Sequence, residues 1–221
     1  MHRPYRIIDI SQPVSSRTAC FPGDTPFSRQ VTVSFAESKV INLTAITMSP
    51  HVGTHADAPV HVQGDMAEGS GMAASLPLEN FIGPAVVFDV SPLNDAIGIE
   101  HVAGKLKTLD RLPARVLFKT CREIRYEVFE DRYAYFSVEL VQALADRGVT
   151  LMGIDTPSVD DVNSKTLDAH HALIARGLCW LENLDLTRVE EGEYVLVAPP
   201  LKLAEVEASP VRAVLLEGDG W

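Results

Sequence analysis

Cysteine is scarce: three occur in 221 residues, at positions 20, 121 and 179. Their odd number and wide spacing argue against a disulfide framework and against a CxxC metal knuckle, and point to a reducing cytoplasm. Positive charge is short as well, with 19 Lys and Arg against 30 Asp and Glu and a formal charge of −11. Such a surface repels the phosphate backbone, and no local Lys/Arg cluster offsets it, so nucleic acid and anionic membrane surfaces are excluded as partners. No apolar run reaches the ~18 residues of a membrane span. The opening "MHRPYRIIDISQPVS" lacks the apolar stretch of a signal peptide. Nowhere does G-x-S-x-G occur, which removes the usual serine-nucleophile elbow. No internal repeat and no Ser/Gly linker divides the chain.

What is present describes an ordinary globular protein, 46% apolar and 22% charged, long enough for one domain over residues 1–221. Short β-branched runs bounded by Pro, Gly or Asp predict strands in "YRIIDIS", "PAVVFDVS", "ARVLFKT", "VTLMGIDTP", "EYVLVAPPL" and "PVRAVLLE". Helical periodicity predicts a helix over 138–147, whose apolar positions 138, 140, 141 and 144 share a face, with Gly148 as its stop. A second helix carries "DAHHALIARG", with Asp168 expected as N-cap and Gly177 at its end. Strands and helices mix without a strict βαβ rhythm. The fold class read from this is α/β, a single mixed domain with a largely antiparallel or barrel-like β core and flanking helices.

Histidine is unevenly spread. Five of the seven fall in two stretches, "HVGTHADAPVH" at 51–61 and "KTLDAHHALIARGLCWLENL" at 165–184. Pro50, Gly53 and Pro59 make a regular helix unsuitable for the first stretch. In an extended segment residues of equal parity share a face. His51, His55, Asp57 and His61 then point one way, and Val52, Ala56, Ala58 and Val60 the other. Such a face suits a metal held by imidazole nitrogen and carboxylate oxygen without thiolate, zinc first, with manganese and ferrous iron accepting the same ligands. Taken alone the stretch also reads as a solvated turn, a reading that the shared parity disfavours. His170 and His171 are adjacent and diverge by about 100° on a helix, so one of them at most faces a given site. Glu182, in the apolar run "LCWLENL", needs a compensating charge if buried. The lone His2 and His101 receive no role.

These residues carry a resemblance. "HVGTHADAPVH" resembles the HxGTHxDxPxH signature of the metal-dependent cyclase family, which includes bacterial kynurenine formamidases (arylformamidases). "DISQPVSSRTACFPGDTPF", "GIDTPSVDDVNSKTLDAHHAL" and "ASPVRAVL" are similar to segments of the same enzymes in the same order. The resemblance implies a swivelling β/β/α-like domain, a homodimer, and two metal ions per subunit, usually Zn2+, with Mn2+ also accepted. It implies His51, His55 and Asp57 as metal ligands, Asp57 bridging, with His170 and Glu182 completing the second ion's shell. His61 becomes the general acid/base, and Phe21 lies near the substrate's aromatic ring. The implied reaction hydrolyses N-formyl-L-kynurenine to L-kynurenine and formate in tryptophan catabolism. The competing expectations are another cyclase-family amidohydrolase acting on a small cyclic or aryl amide such as isatin, and a non-catalytic metal-binding member of the fold.

Overall fold

Alternation of small and large apolar side chains along short strands builds one sheet with a core on each face. The computed structural model describes residues 6–64 and 71–218. Tyr5, at the head of the first predicted strand, and His2 lie outside them. The strands are β1 (Arg6–Asp9), β2 (Ser28–Val33), β3 (Leu43–Thr47), β4 (His55–Asp57), β5 (Ile82–Asp89), β6 (Ala96–Ile97), β7 (Arg115–Lys119), β8 (Tyr135–Phe136), β9 (Leu151–Ile154), β10 (Cys179–Glu182), β11 (Gly192–Val197), β12 (Ala208–Pro210) and β13 (Val214–Glu217). Nine of them form a curled half-barrel in the order β1-β13-β11-β5-β7-β9-β10-β4-β12. β2 and β3 form a separate antiparallel hairpin, and β6 pairs with β8.

The expected sheet was largely antiparallel or barrel-like, and its flanks are antiparallel. Its centre is not: β5, β7, β9 and β10 run parallel. The reason lies in burial, since β7, β9 and β10 are covered on both faces along their whole length, the environment in which parallel strands are found. Leu117, Leu151 and Leu181 pack on one face with Ile8, Phe81 and Leu196. Their sequence neighbours Phe118, Met152 and Trp180 pack on the other with Phe88, Phe136 and the helices. The fit at the centre is close, for a Cβ on Gly153 would lie 2.5 Å from Leu117 Cδ2.

Among the described residues five α-helices accompany the sheet: α1 (Phe35–Ser38), α2 (Leu78–Phe81), α3 (Ala103–Leu106), α4 (Val138–Ala145) and α5 (Asp168–Ala175). α4 follows its expected pattern. Leu140, Val141 and Leu144 are buried, and Ser137 caps the helix by accepting from Leu140 N. α5 departs from expectation at its start. Leu167, at φ 50°, occupies the N-cap position and Asp168 is the first helical residue. The missing cap is supplied from the preceding β9–α5 loop by Asp160, whose carboxylate accepts from Ala169 N at 2.9 Å and His170 N at 3.0 Å. Gly177, at φ 68°, turns the chain out of α5 and into β10. Among the described residues no helix is long and apolar enough to cross a membrane.

Candidate metal centre

β4 carries the centre of the histidine motif between β10 and β12. His55 pairs in register with Glu182, and Asp57 with Ala208. Only His55–Asp57 is strand; Pro59–His61 is a short 3-10 turn, and His51 lies in the turn before β4. The turn needs glycine at position 53, where φ is 73° and a Cβ would meet Val14 Cγ2 at 2.7 Å. The extended segment that the parity argument assumed is therefore three residues long. His51, His55, Asp57 and His61 nonetheless meet, while Ala56 and Ala58 pack into the opposite core and Val52 and Val60 are buried.

Four elements bring the cluster together. His51 Nδ1 lies 3.0 Å from Asp57 Oδ1, and His55 Nε2 lies 3.3 Å from both Asp57 Oδ1 and Glu182 Oε2. From α5, His170 Nε2 sits 3.6 Å from Asp57 Oδ2 and 3.5 Å from Glu182 Oε1. The His61 ring stands 4.5 Å from that of His51 and 5.7 Å from that of His170. His171 is exposed on the other side of α5, as adjacency on a helix requires. His101 lies away from the cluster, its Nδ1 accepting from Gly98 N at 3.0 Å.

The outward-turned atoms of the two buried histidines are engaged. His55 Nδ1 is 2.9 Å from Gly53 O, and His170 Nδ1 is 2.6 Å from Asp160 Oδ2. Each of these contacts takes a ring N–H and leaves an Nε2 lone pair facing inward. There it finds no hydrogen bond: His55 Nε2, His170 Nε2 and Asp57 Oδ1 are buried and unpartnered. Lone pairs of nitrogen and carboxylate oxygen gathered at 3.3–3.6 Å repel unless a cation lies between them. Two overlapping sets of ligand atoms, His51/Asp57/His61 and His55/Asp57/Glu182, each lie within 4.8 Å of one another and share Asp57. Nitrogen and oxygen donors without sulfur fit a borderline divalent ion.

Without an ion, protons fill this role. Burial opposes charge on His55, but Asp57 and Glu182 outweigh it and raise its pKa to about 10. His170 is likewise opposed by burial, and Asp160, Asp57 and Glu182 raise it to about 10. His51 is raised against burial by Asp57, whose own carboxyl is held well below its usual range, against burial, by the histidines around it. His61 behaves oppositely. Although the residue is exposed overall, desolvation of its ring against the cluster lowers its pKa.

Several supporting residues were not singled out from the sequence. Asp160 orients His170, Trp180 donates through Nε1 to Asp57 Oδ2 at 3.0 Å, and Val159 N donates to Glu182 Oε1 at 2.9 Å. Glu207 Oε1 lies 3.2 Å from His51 Nε2. Asn183 follows Glu182 at φ 54°, a conformation that asparagine and glycine tolerate best. Above the cluster opens a cavity of about 960 Å³. Phe21 stands on its wall, packed edge-on against Phe129 with ring centroids 5.1 Å apart.

The class is that of a mixed α/β protein with a curled sheet, whose His/Asp/Glu groups at the floor of a cavity could hold a metal. The Cyclase family model, described as "Putative cyclase", matches residues 8–161. The chain belongs to this family. It is 44% identical over 212 residues to a kynurenine formamidase of Bordetella avium (strain 197N), covering 96% of this chain and 98% of that one. To a kynurenine formamidase of Paracidovorax citrulli (strain AAC00-1) it is 43% identical over 217 residues, covering 97% and 98%. Among solved structures it resembles a predicted metal-dependent hydrolase from Bacillus stearothermophilus, with TM-score 0.79, 26% identity and coverage of 98% and 100%. It shares the fold of isatin hydrolase A from Labrenzia aggregata, with TM-score 0.83, 23% identity and coverage of 96% and 93%.

Two outcomes follow from this geometry. An entering ion must displace the protons on His55 and His170, whose folded pKa values of about 10 exceed the ordinary 6.5. Zinc affinity of the metal-free chain therefore rises with pH from 6.5 towards 10, and calorimetry in buffers of different ionisation enthalpy registers proton release at pH 7. Asp160→Ala removes both the carboxylate that aims His170 and the cap of α5. It should weaken zinc binding by about 10–100-fold in a competition titration against a chromophoric chelator.

Proposed function

We propose that the chain is a metal-dependent arylformamidase that hydrolyses N-formyl-L-kynurenine to L-kynurenine and formate. The observation that carries this reading is the set of buried, unpartnered ligand atoms below a cavity. The near full-length likeness to kynurenine formamidases supports the choice of substrate. His51, His55, Asp57, His170 and Glu182 would hold two ions, zinc in the first instance. Ions bound there would supply an activated water, with its pKa lowered towards ~7, and Lewis acidity toward the formyl oxygen.

The chain's own groups do the rest. Water adds to the formyl carbon and the C–N bond breaks. One water proton travels to the departing aryl nitrogen and formate leaves as the anion, its proton passing to solvent. His61 is placed for this transfer at the open side of the cluster, and its lowered pKa keeps the imidazole neutral and ready to accept a proton near pH 7. Phe21 and Phe129 offer an apolar wall against which the substrate's ring lies flat or edge-on.

The reading extends to a cytoplasmic homodimer. The thiols of Cys20, Cys121 and Cys179 are free, which suits a reducing compartment. The β2–β3 hairpin exposes Val31, Leu43 and Ile46, with Phe35 and Val40 exposed in its connection. An apolar arm of this kind is suited to cover by a second copy.

Absorbance-monitored turnover of N-formyl-L-kynurenine, abolished by a chelator and restored by zinc, tests the assignment. Turnover of isatin alone would move the substrate elsewhere in the family, and a metal-loaded protein inactive on both would make the site structural. His61→Ala should keep its metal and lose about 10²–10⁴-fold in kcat, whereas Asp57→Ala should lose metal and turnover together. Elemental analysis of the two purified variants checks this, and metal-free His61→Ala would make His61 a ligand. Light scattering on a sizing column should return a mass near twice 24.1 kDa.

A further inference from the structure

The buried polar atoms left without a partner include one outside the ligand cluster. Besides His55 Nε2, Asp57 Oδ1 and His170 Nε2, the hydroxyl of Tyr133 is buried without a well-formed hydrogen bond, although the Ser158 side chain stands beside it. Tyr133 is only 7% exposed, yet it lines the same cavity as His51, His61, His170 and Glu182. A phenol enclosed in this way loses its water without replacement, a cost that native interiors seldom retain without a use for the group.

The surroundings determine what that use is. Burial first, then the charges of Glu182 and Asp161, push the Tyr133 pKa upward. A phenol's ordinary pKa of about 10 already keeps the proton on the hydroxyl near neutral pH, so it stands as a donor. The nearby anions already have partners: Glu182 Oε1 accepts from Val159 N, Asp160 from Ala169 N, His170 N and His170 Nδ1, and Asp161 Oδ1 from Asn163 N. A neutral, fixed donor beside a cluster built to hold cations needs an oxygen acceptor that arrives from outside. The backbone around it is rigidly placed, with Ala134 fully buried and Phe136 N donating to Val159 O at 2.9 Å.

We propose that Tyr133 is a catalytic residue whose hydroxyl donates a hydrogen bond to the carbonyl oxygen under attack, strengthening as that oxygen gains negative charge. This rests on the hydrolase reading given above. The donor is preorganised, so no reorientation is needed during the reaction, which is the condition under which such donors favour the transition state over the bound substrate. No proton is transferred by the phenol. It holds the oxygen while His61 moves the proton to nitrogen.

The test is Tyr133→Phe, which removes one oxygen and leaves the ring in place. In zinc-loaded protein, kcat for N-formyl-L-kynurenine should fall by about 10–100-fold, with KM changed by less than about twofold. Zinc content and affinity for L-kynurenine, which lacks the formyl oxygen, should equal those of the wild type. Tm should be unchanged or higher, because the hydroxyl has no internal partner to lose. A kcat within about twofold of wild type overturns the proposal, and so does a Tm lower by several degrees, which would mean that the hydroxyl bonds within the fold. Wild-type protein that is inactive on the formamide refutes the substrate reading instead. The same pair assayed on isatin, whose lactam carbonyl undergoes the same attack, then decides Tyr133, and the melting comparison applies whatever the substrate.

Discussion

The site turns on the Asp57 carboxylate, buried at the centre of the sheet's far edge with three histidines and a second carboxylate aimed at it. An arrangement of buried lone pairs this close is unfavourable in itself. It persists because the groups around it are anchored elsewhere: Asp57 by Trp180, His55 by the Gly53 carbonyl, His170 by Asp160, Glu182 by the Val159 amide. Each anchor uses one face of the ligand and leaves the other unpaired. The stability of the surrounding core holds the centre in this state, and a bound cation would relieve it.

The sheet makes this possible by placing two antiparallel partners around β4. β10 brings Glu182 opposite His55, and its other edge continues into the parallel strands β9 and β7, whose both-sided burial makes the platform rigid. Trp180 lies two residues before Glu182 on the same strand, so strand alternation alone points both side chains towards α5 and the cluster. α5 returns His170 to the same point. Its start is tied to the loop after β9 by Asp160, so one carboxylate both caps the helix and orients His170. The parts of the site are coupled through shared hydrogen bonds, and changes in them should not be additive.

Polar groups without internal partners divide the cavity floor into two chemistries. Acceptors gather around Asp57, and a protonated donor stands at Tyr133. Hydrolysis of an amide needs both, a cationic locus that activates water and a donor for the oxygen that becomes charged. His61 lies between solvent and the cluster with its pKa lowered, while its buried neighbours His55 and His170 have theirs raised. The same environment thus separates His61 from His55 and His170 by degree of burial and by contact with the carboxylates.

Much of this was legible in the residues. The apolar runs located six of the sheet's strands, periodicity located α4 and α5, and parity separated His51, His55, Asp57 and His61 from the small apolar residues behind them. These are local consequences of backbone period, which a sequence states directly. The central parallel pairing, the β2–β3 hairpin, the capping of α5 by Asp160 and the roles of Trp180, Glu207 and Tyr133 were not legible. Each depends on partners from about ten to more than a hundred residues apart and on which atoms end up without one. The sequence by itself determined which side chains could meet a metal. Only the tertiary structure decided which of their atoms face inward, because that orientation is set by hydrogen bonds from β10, α5 and the loops, made when the chain closes on itself.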